Sequence, residues 1–436
     1  MKDIINENQE VLDTYGDYPL DEDDVTDMVR DVNLSDRQVL KILSIIRKKW
    51  GNNKVTPNIR NLLKERKRVL SHLYTVEYLD KEHLDHFVDK SNQAVSRYLV
   101  YCTDIKALIE AKEIIEGGEY DNIIGVDYGK SILKGTYNSI EKGPLGKSRI
   151  DRGVKFCQVL FCVSKVPESY HNLSVIEKKL QINSIDCKIS TDLKCMNLIL
   201  GLQTHSAKFP CPYGHCHKIS KSDLETARKY HVVLREDEIE GSWWRGEDRT
   251  LESISSYQKK YEGEPNINRS SLKNFFNCEF QPLLQPQSSA ASPTKILLKM
   301  PPPPLHCIRL GPTNFLIKEL SIVWPELHHH LDKLHVELDD YHGGAFEGNE
   351  CKKILKNIHN LHIPNEFIDF EDALKSLRDL DEMASKSNLP ADYKEKIEAW
   401  KFSWNKLFLS RQMTCPNKIH IINHHLKVIY LFLFKY

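Results

Sequence analysis

The feature that most constrains the fold of this chain is a series of strand-like segments between residues 123 and 191. Residues 123–127 are a short apolar segment that ends on an acid, residues 132–140 alternate and are rich in β-formers, and residues 156–163 are again apolar. Their hairpin-length connections are typical of antiparallel neighbours. A helix at 173–182 and a fourth strand at 187–191 follow. The order predicts an α/β fold built on a mixed sheet.

Two aspartates stand at the ends of the first and fourth of these strands, Asp127 and Asp192. If these two strands lie side by side, as in ribonuclease H-like folds, both carboxylates meet at one edge of the sheet. Paired carboxylates can hold two divalent ions, which activate a water or hydroxyl and stabilise the leaving oxygen in phosphoryl displacement. Magnesium, or manganese, suits such a site. The alternative is that Asp127 opens a turn and Asp192 caps the helix at 193–202.

A segment rich in cysteine and histidine follows that helix. Cys211 and Cys216 lie in a Pro/Gly-containing turn with His215 and His217 beside them. Thiolate and imidazole ligands at such spacing favour a structural zinc ion in a tetrahedral site. Only this one cysteine pair has the spacing, so histidines or a distant ligand must complete the coordination. The alternative is a pair of free thiols in a turn.

Composition limits the class of protein. The chain has 436 residues, 40% of them hydrophobic and 28% charged, as in globular proteins with a real core. Its longest apolar stretch, at 428–434, is too short to cross a bilayer, and the N-terminus has no secretory signal. We therefore expect a cytosolic or nuclear protein, whose eleven cysteines are thiols or metal ligands rather than disulfides.

The net charge of zero conceals a local asymmetry. Residues 1–31 carry eleven acidic and two basic side chains, and residues 34–70 carry eleven basic and two acidic ones. The basic block has the apolar periodicity of two helices. The second helix has a polar face suited to nucleic-acid phosphates, or equally to an ordinary solvated surface. The residues of this face are Arg60, Lys64, Lys67 and Arg68.

Several strings together resemble DDE-type transposases of animal transposable elements. The resemblance runs in consistent order over roughly residues 100–425. It consists of CTDI (102–105), GVDYG (125–129), YHNLSVI (170–176), DLKCMNLILGLQ (192–203), CPY (211–213), PPLH (303–306) with LG (310–311), YHGGAFEGNEC (341–351) and KIHIINHH (418–425). Each string is short, so the resemblance depends on the set.

The resemblance implies a ribonuclease H-like core with a large, mainly helical insertion and a helical N-terminal region. It implies metal-dependent cutting and joining of DNA in the nucleus, with Asp127 and Asp192 matching the first two acids of the triad. The expected segments are an acidic arm (1–33), a basic helical region for DNA (34–80), the core (100–205), a Cys/His segment and linker (206–300), the insertion (301–427) and an apolar tail (428–436).

This sequence differs from the family pattern at the third acid. The family pattern places that acid after residue 425, where this sequence has the apolar tail, and we interpret the tail as a truncated end. Glu395 and Glu398 are stand-ins for this acid, and we expect cleavage to be weak or lost. One alternative is a non-enzymatic nuclear DNA- or chromatin-binding protein on the same scaffold. Another is an interaction module that is stabilised by a structural zinc ion and is unrelated to DNA. The sequence leaves homo-oligomer formation open.

Overall fold

A computed structural model gives the fold of part of the chain. It describes residues 71–79, 83–85, 97–116, 120–129, 131–141, 157–203, 207, 209–218, 239–240, 243–244, 246–262, 270, 273–274, 276–286, 293–303, 305–337, 345–385, 390–411, 413 and 415–433. The predicted acidic arm and the basic region as far as residue 70 lie outside these residues, and so do the last three residues of the predicted apolar tail.

A mixed six-stranded sheet forms the first half of the described structure. Its strands are β1 (Tyr74–Leu79), β2 (Arg97–Cys102), β3 (Tyr120–Gly129), β4 (Ile132–Glu141), β5 (Gln158–Ser164) and β6 (Lys188–Ser190). Their spatial order is β1-β2-β5-β4-β3-β6. Neighbouring strands are antiparallel except for β3 and β6, which run parallel.

A tight hairpin joins β3 to β4. Tyr120 is opposite Glu141 at one end and Gly129 is opposite Ile132 at the other. Just before β4, Ser131 takes a φ of 62°, the left-handed conformation that two-residue hairpin turns require. The ten residues of β3 are thus paired with β4 along their whole length.

The strand β6 joins the other edge of β3 through a helical crossover. The helices beside the sheet are α1 (Ile105–Glu116), α2 (Tyr170–Leu180) and α3 (Leu193–Ile199), and α2 connects β5 to β6. Ile123 is opposite Lys188 and Gly125 is opposite Ser190. A parallel neighbour needs such a crossover because the chain must return to the same end of the sheet.

One face of the sheet is buried and the other is partly exposed. Alternate residues of β3 to β5, such as Val126 and Phe161, turn into a core that they share with Leu173 and Ile176 of α2 and Ile199 of α3. The opposite face exposes Val76, Tyr78 and Tyr98 on the first two strands. The helices therefore cover one side of the sheet, as apolar strand faces require.

A small sheet and a second group of helices follow. The small strands are β7 (His217–Lys218), β8 (Ile239–Glu240) and β9 (Trp243–Trp244), in the order β7-β9-β8. The helices are α4 (Leu251–Glu262), α5 (Ile296–Lys299), α6 (Gly311–Val323), α7 (Leu327–Lys333), α8 (Gly348–Lys356), α9 (Ile368–Ala384), α10 (Tyr393–Arg411) and α11 (Asn417–Leu433). A π-helical segment, Leu305–Leu310, leads into α6.

Two tryptophans stand at the centre of the helical part. The rings of Trp400 and Trp404 on α10 stack with their centroids 6.0 Å apart, and both are buried. The Trp400 Nε1–H donates to Asn423 Oδ1 on α11 over 2.8 Å. This buried hydrogen bond satisfies both polar groups and joins the last helix to α10.

The predicted α/β class is confirmed, and the four predicted strands correspond to β3 to β6. The structure differs from the prediction before residue 120. Tyr74–Leu79 is a strand at the end of the region 34–80 that the sequence predicts as helical, and Arg97–Cys102 is a further strand. The reason is that both segments are rich in tyrosine and valine, which fit a pleated, half-buried surface.

Residues 281–286 and 293–303, which include the end of the predicted Cys/His segment and linker, pack onto the rest of the described structure. Leu283, Leu284, Ile296 and Met300 are all buried, so apolar contact overrides the extended character that the prolines of this segment favour. Within the described residues, no helix has the length and apolar character that crossing a membrane would require.

Replacing Gly135 with alanine should destabilise the sheet. A Cβ at this position of β4 would overlap the ring of Phe161, which is buried beneath it. Such overpacking costs about 1–3 kcal/mol in the free energy of unfolding. Guanidinium unfolding measures this loss. The control is Gly129→Ala in the same hairpin, where the new Cβ would meet only Asp127 Oδ2 at 4.0 Å. Equal stability of the two variants would contradict the packing of this face.

Candidate functional site

Asp127 and Asp192 lie at the same edge of the sheet. Gly125 and Ser190 are opposite each other in the parallel pair β3 and β6, and each aspartate comes two residues later in its own chain segment. Because parallel strands direct their carboxyl ends to one end of the sheet, both aspartates lie toward that end, Asp127 near the end of β3 and Asp192 just after β6. The sequence prediction that the first and fourth strands are neighbours is therefore met in the fold.

Each aspartate also has a structural partner. The side chain of Asp127 is 62% exposed, and its Oδ2 lies 3.0 Å from Lys134 Nζ on β4. Asp192 is the N-cap of α3, where its Oδ1 accepts a hydrogen bond from Cys195 N over 2.7 Å. The capping role that the sequence left open for Asp192 is thus real, and it uses one of the two carboxylate oxygens.

His306 connects the two aspartates electrostatically. It lies in the π-helical segment Leu305–Leu310. Burial lowers its pKa, and the positive charge of Lys418 lowers it further, whereas the negative charges of Asp192 and Asp127 both act to raise it. The negative charges of both carboxylates therefore reach this imidazole. In the sequence, His306 stands out only as the last residue of the string PPLH (303–306).

A third carboxylate, Glu168, lies close to Asp192. Its side chain is only 2% exposed, and its Oε2 is 2.8 Å from Lys194 Nζ on α3. Burial raises the pKa of Glu168, the Lys194 ammonium opposes that rise, and the charge of Asp192 adds to it. Sequence reasoning missed this residue because a glutamate just before a helix is an ordinary first-turn acid.

The two stand-ins for the third acid lie elsewhere. Glu395 and Glu398 are exposed on α10, and Glu398 Oε1 is 3.7 Å from Lys401 Nζ. Neither is among the charges that act on His306. The structure therefore gives no support to either residue as a partner of Asp127 and Asp192.

A second constellation has the ligands of a zinc site. Ligand atoms of Cys211, Cys216 and His420 all lie within 4.8 Å of one another, and all three residues are buried. In a tetrahedral zinc site with bonds of about 2.0–2.3 Å, ligand atoms are roughly 3.3–3.8 Å apart, so the group needs little adjustment. The cluster could hold a metal ion such as zinc.

His425 adjoins this cluster as a fourth group. Its Nε2 lies 3.4 Å from Cys211 Sγ, and both side chains are buried. His420 and His425 both belong to α11, more than two hundred residues after the cysteines. Two thiols and two imidazoles would close the coordination shell, as in structural zinc sites, leaving no position for a substrate.

The turn that carries the cysteines is held by buried backbone contacts. Arg249 is buried, and its Nε donates to the carbonyl oxygens of Cys211 and Gly214 over 3.2 and 3.3 Å. Gly214 has no room for a side chain, because a Cβ would lie 2.9 Å from Cys216 Sγ. Burial raises the pKa of Cys211 well above its ordinary value, and the neighbouring Cys216 adds to the rise. A metal would therefore have to displace the thiol protons.

The histidines predicted as ligands have other surroundings. The ring of His215 stacks on Phe209 with centroids 4.0 Å apart, and it does not belong to the cluster found among the described residues. His217 lies in β7 opposite Trp244. The imidazole in the cluster comes from His420, a contact that local spacing at 205–217 could not reveal. The signal for it was the pair of histidines five residues apart in KIHIINHH.

The predicted nucleic-acid contacts, Arg60, Lys64, Lys67 and Arg68, lie outside the described residues.

Part of the chain is similar to a known protein family. A family described as a domain of unknown function (DUF8703) matches residues 78–237. The match includes Asp127, Glu168, Asp192 and both cysteines of the cluster, but not His306 or the histidines of α11. A comparison with curated proteins found no match.

Replacing Cys211 with serine should lower the bound zinc and the melting temperature together. The thiolate is lost from a buried site that joins α11 to the turn. Metal analysis of the purified full chain, with thermal unfolding, measures both effects. The control is Cys278→Ser, because Cys278 is equally buried but outside the cluster. Zinc content equal to that of the parent protein would rule out Cys211 as a ligand.

Proposed function

We propose that this chain is a transposase-derived, ribonuclease H-like protein that binds DNA and cleaves or transfers its strands with the help of divalent metal ions. The observation that carries the proposal is the parallel pairing of β3 with β6, which brings Asp127 and Asp192 to one edge of the sheet. The activity is expected to be weak or lost, because neither candidate for the third acid, Glu395 or Glu398, is among the groups that act on His306 together with the two aspartates.

The strand order supports the proposed fold. Three antiparallel strands, β3, β4 and β5, are followed by the helix α2 and by β6, which returns to run parallel beside β3. This arrangement is the one expected of a ribonuclease H-like core. In this proposal the helices from α6 to α11 form most of the insertion.

The proposed chemistry belongs to the Asp127 and Asp192 edge. The two carboxylates would hold magnesium or manganese, which supplies charge for activating a water or hydroxyl and for stabilising the leaving oxygen. Two lysines carry positive charge near the same edge. Lys134 forms an ion pair with Asp127, and the positive charge of Lys418 acts on His306. These ammonium groups would orient the phosphates of a DNA strand.

The Cys/His cluster has a separate, structural role in this proposal. Zinc held by two cysteines and the histidines of α11 would join that helix to the turn after α3. Lys418 lies in the first turn of α11 and acts on His306. The zinc would therefore keep a positive charge beside the proposed catalytic edge without taking part in the reaction.

The alternative is a non-enzymatic nuclear protein that binds DNA or chromatin on the same scaffold. What favours it is the ordinary pairing of both aspartates, Asp127 with Lys134 and Asp192 with the end of α3. The two proposals agree on DNA and differ on cleavage. Metal-dependent nicking of DNA by the purified full chain separates them.

Replacing Asp127 with asparagine should abolish any magnesium-dependent DNA cleavage and leave stability nearly unchanged, because the side chain is 62% exposed. A nicking assay and a thermal melt measure the two properties. The control is Asp121→Asn on the same strand, since Asp121 pairs with Lys188 toward the other end of β3. Undiminished cleavage by the Asp127 variant would remove it from the mechanism.

Replacing Lys64, Lys67 and Arg68 together with alanine should weaken DNA binding and flatten its salt dependence. Each lost phosphate contact lowers the slope of log affinity against log salt by about 0.9. Fluorescence anisotropy at several salt concentrations measures the slope. The control removes Lys352 and Lys356 of α8, which are exposed lysines in the helical part. Identical slopes in both variants would contradict a DNA role for the basic block.

A further inference from the structure

The buried carboxylate of Glu168 is only half satisfied by the described part of the chain. The residue comes just before α2, whose N-cap is Ser169. One oxygen, Oε2, pairs with Lys194. The other, Oε1, is buried and accepts no hydrogen bond from the described residues, with only the weakly donating Cys195 thiol nearby. An ionised carboxylate in this position lacks a partner for one oxygen, and that is costly.

Glu168 and Asp192 both contact the first turn of α3, Glu168 through Lys194 and Asp192 through the Cys195 backbone. The Asp192 charge acts on Glu168, and the two share neighbours on the first turn of α3. Asp192 Oδ1 accepts a hydrogen bond from the Cys195 backbone N–H. The negative charges of Glu168 and Asp192 both act to raise the pKa of Lys194. Two carboxylates that share a buried edge need positive charge between them. Lys194 supplies some of it, although its side chain is 55% exposed.

We infer that Glu168 and Asp192 together bind a divalent cation, and that Lys194 pairs with Glu168 when no cation is bound. The ligand class follows from the donors, because carboxylate oxygens are what magnesium and manganese prefer. The buried Oε1 is available as a ligand because the donor nearby among the described residues is the weakly donating Cys195 thiol. This inference rests on the proposed function, to which it adds a third acid on a different element from the one the family pattern expects.

The Lys194 ammonium also lies beside the end of β3. Its Nζ is 5.9 Å from the centre of the Tyr128 ring while it pairs with Glu168. An ammonium displaced from Glu168 by a cation would remain near the end of this strand. There it could contact a phosphate of the bound strand, since lysine is a mobile point charge on a flexible stem.

The test is the affinity of the full chain, isolated with its zinc, for Mn²⁺ measured by electron paramagnetic resonance. Glu168→Gln should lower the affinity by roughly tenfold or more, because the amide is a poorer ligand of the same size. The matched control is Glu177→Gln on α2, the helix that begins just after Glu168. Glu177 is half-buried and accepts a hydrogen bond from Asn183 Nδ2 over 2.6 Å, away from this edge. Equal affinities in parent and Glu168 variant would overturn the inference.

A second variant tests the exchange of lysine for cation. Lys194→Met leaves Glu168 without its positive partner, so adding Mn²⁺ should raise the melting temperature more in this variant than in the parent. The control is Lys179→Met, because Lys179 pairs with Glu77 on β1 instead. If Mn²⁺ raises the melting temperature of the Lys194 variant no more than that of the parent, the cation and the lysine do not share the carboxylate.

The outcomes separate this inference from the proposed function. If the parent chain binds no Mn²⁺, both fail. If Asp127→Asn and Asp192→Asn lose affinity while Glu168→Gln does not, the aspartate site stands and Glu168 is excluded. If Glu168→Gln and Asp192→Asn lose affinity and Asp127→Asn retains it, the inferred cation site stands and Asp127 lies outside it.

Discussion

The parallel contact between β3 and β6 is the constraint on which the candidate site depends. It consists of three residue pairs, from Ile123 with Lys188 to Gly125 with Ser190, yet it fixes the positions of both aspartates. It also sets where α3 begins, because Asp192 caps that helix, and therefore where Lys194 meets Glu168. A register shift of one residue would turn Asp127 or Asp192 to the opposite face.

The helix α11 links this edge to the rest of the chain. Its His420 and His425 reach the cysteine turn, its Asn423 reaches Trp400, and its Lys418 acts on His306. Each contact joins residues far apart in sequence, so each closes a long loop and is made only when the helical part has folded. Metal at the cluster would favour the folded arrangement by mass action, since the ligands are not assembled in an unfolded chain.

The sequence was sufficient for elements that depend on local pattern. Strands β3 to β5 have alternating apolar residues or many β-branched residues, so their pattern predicts strands. The sequence also shows an acid near the end of two predicted strands, so Asp127 and Asp192 could be chosen as candidate site residues. The other site residues could not be. His420 becomes significant only when α11 reaches Cys211, and Glu168 only when its side chain turns into the core beside Asp192. Both depend on tertiary contacts, which no periodicity encodes.

The charges at the proposed site suggest how metal and nucleic acid would influence each other. Among the described residues, Asp127 pairs with Lys134 and Glu168 with Lys194, while Asp192 and Lys418 both act on His306. Negative and positive groups are therefore close to balance in the absence of a cation. A bound divalent cation would leave the edge positive and attractive to phosphates, and a bound phosphate strand would in turn favour the cation. Because such coupling is reciprocal, a weak metal site could become an adequate one once DNA is present.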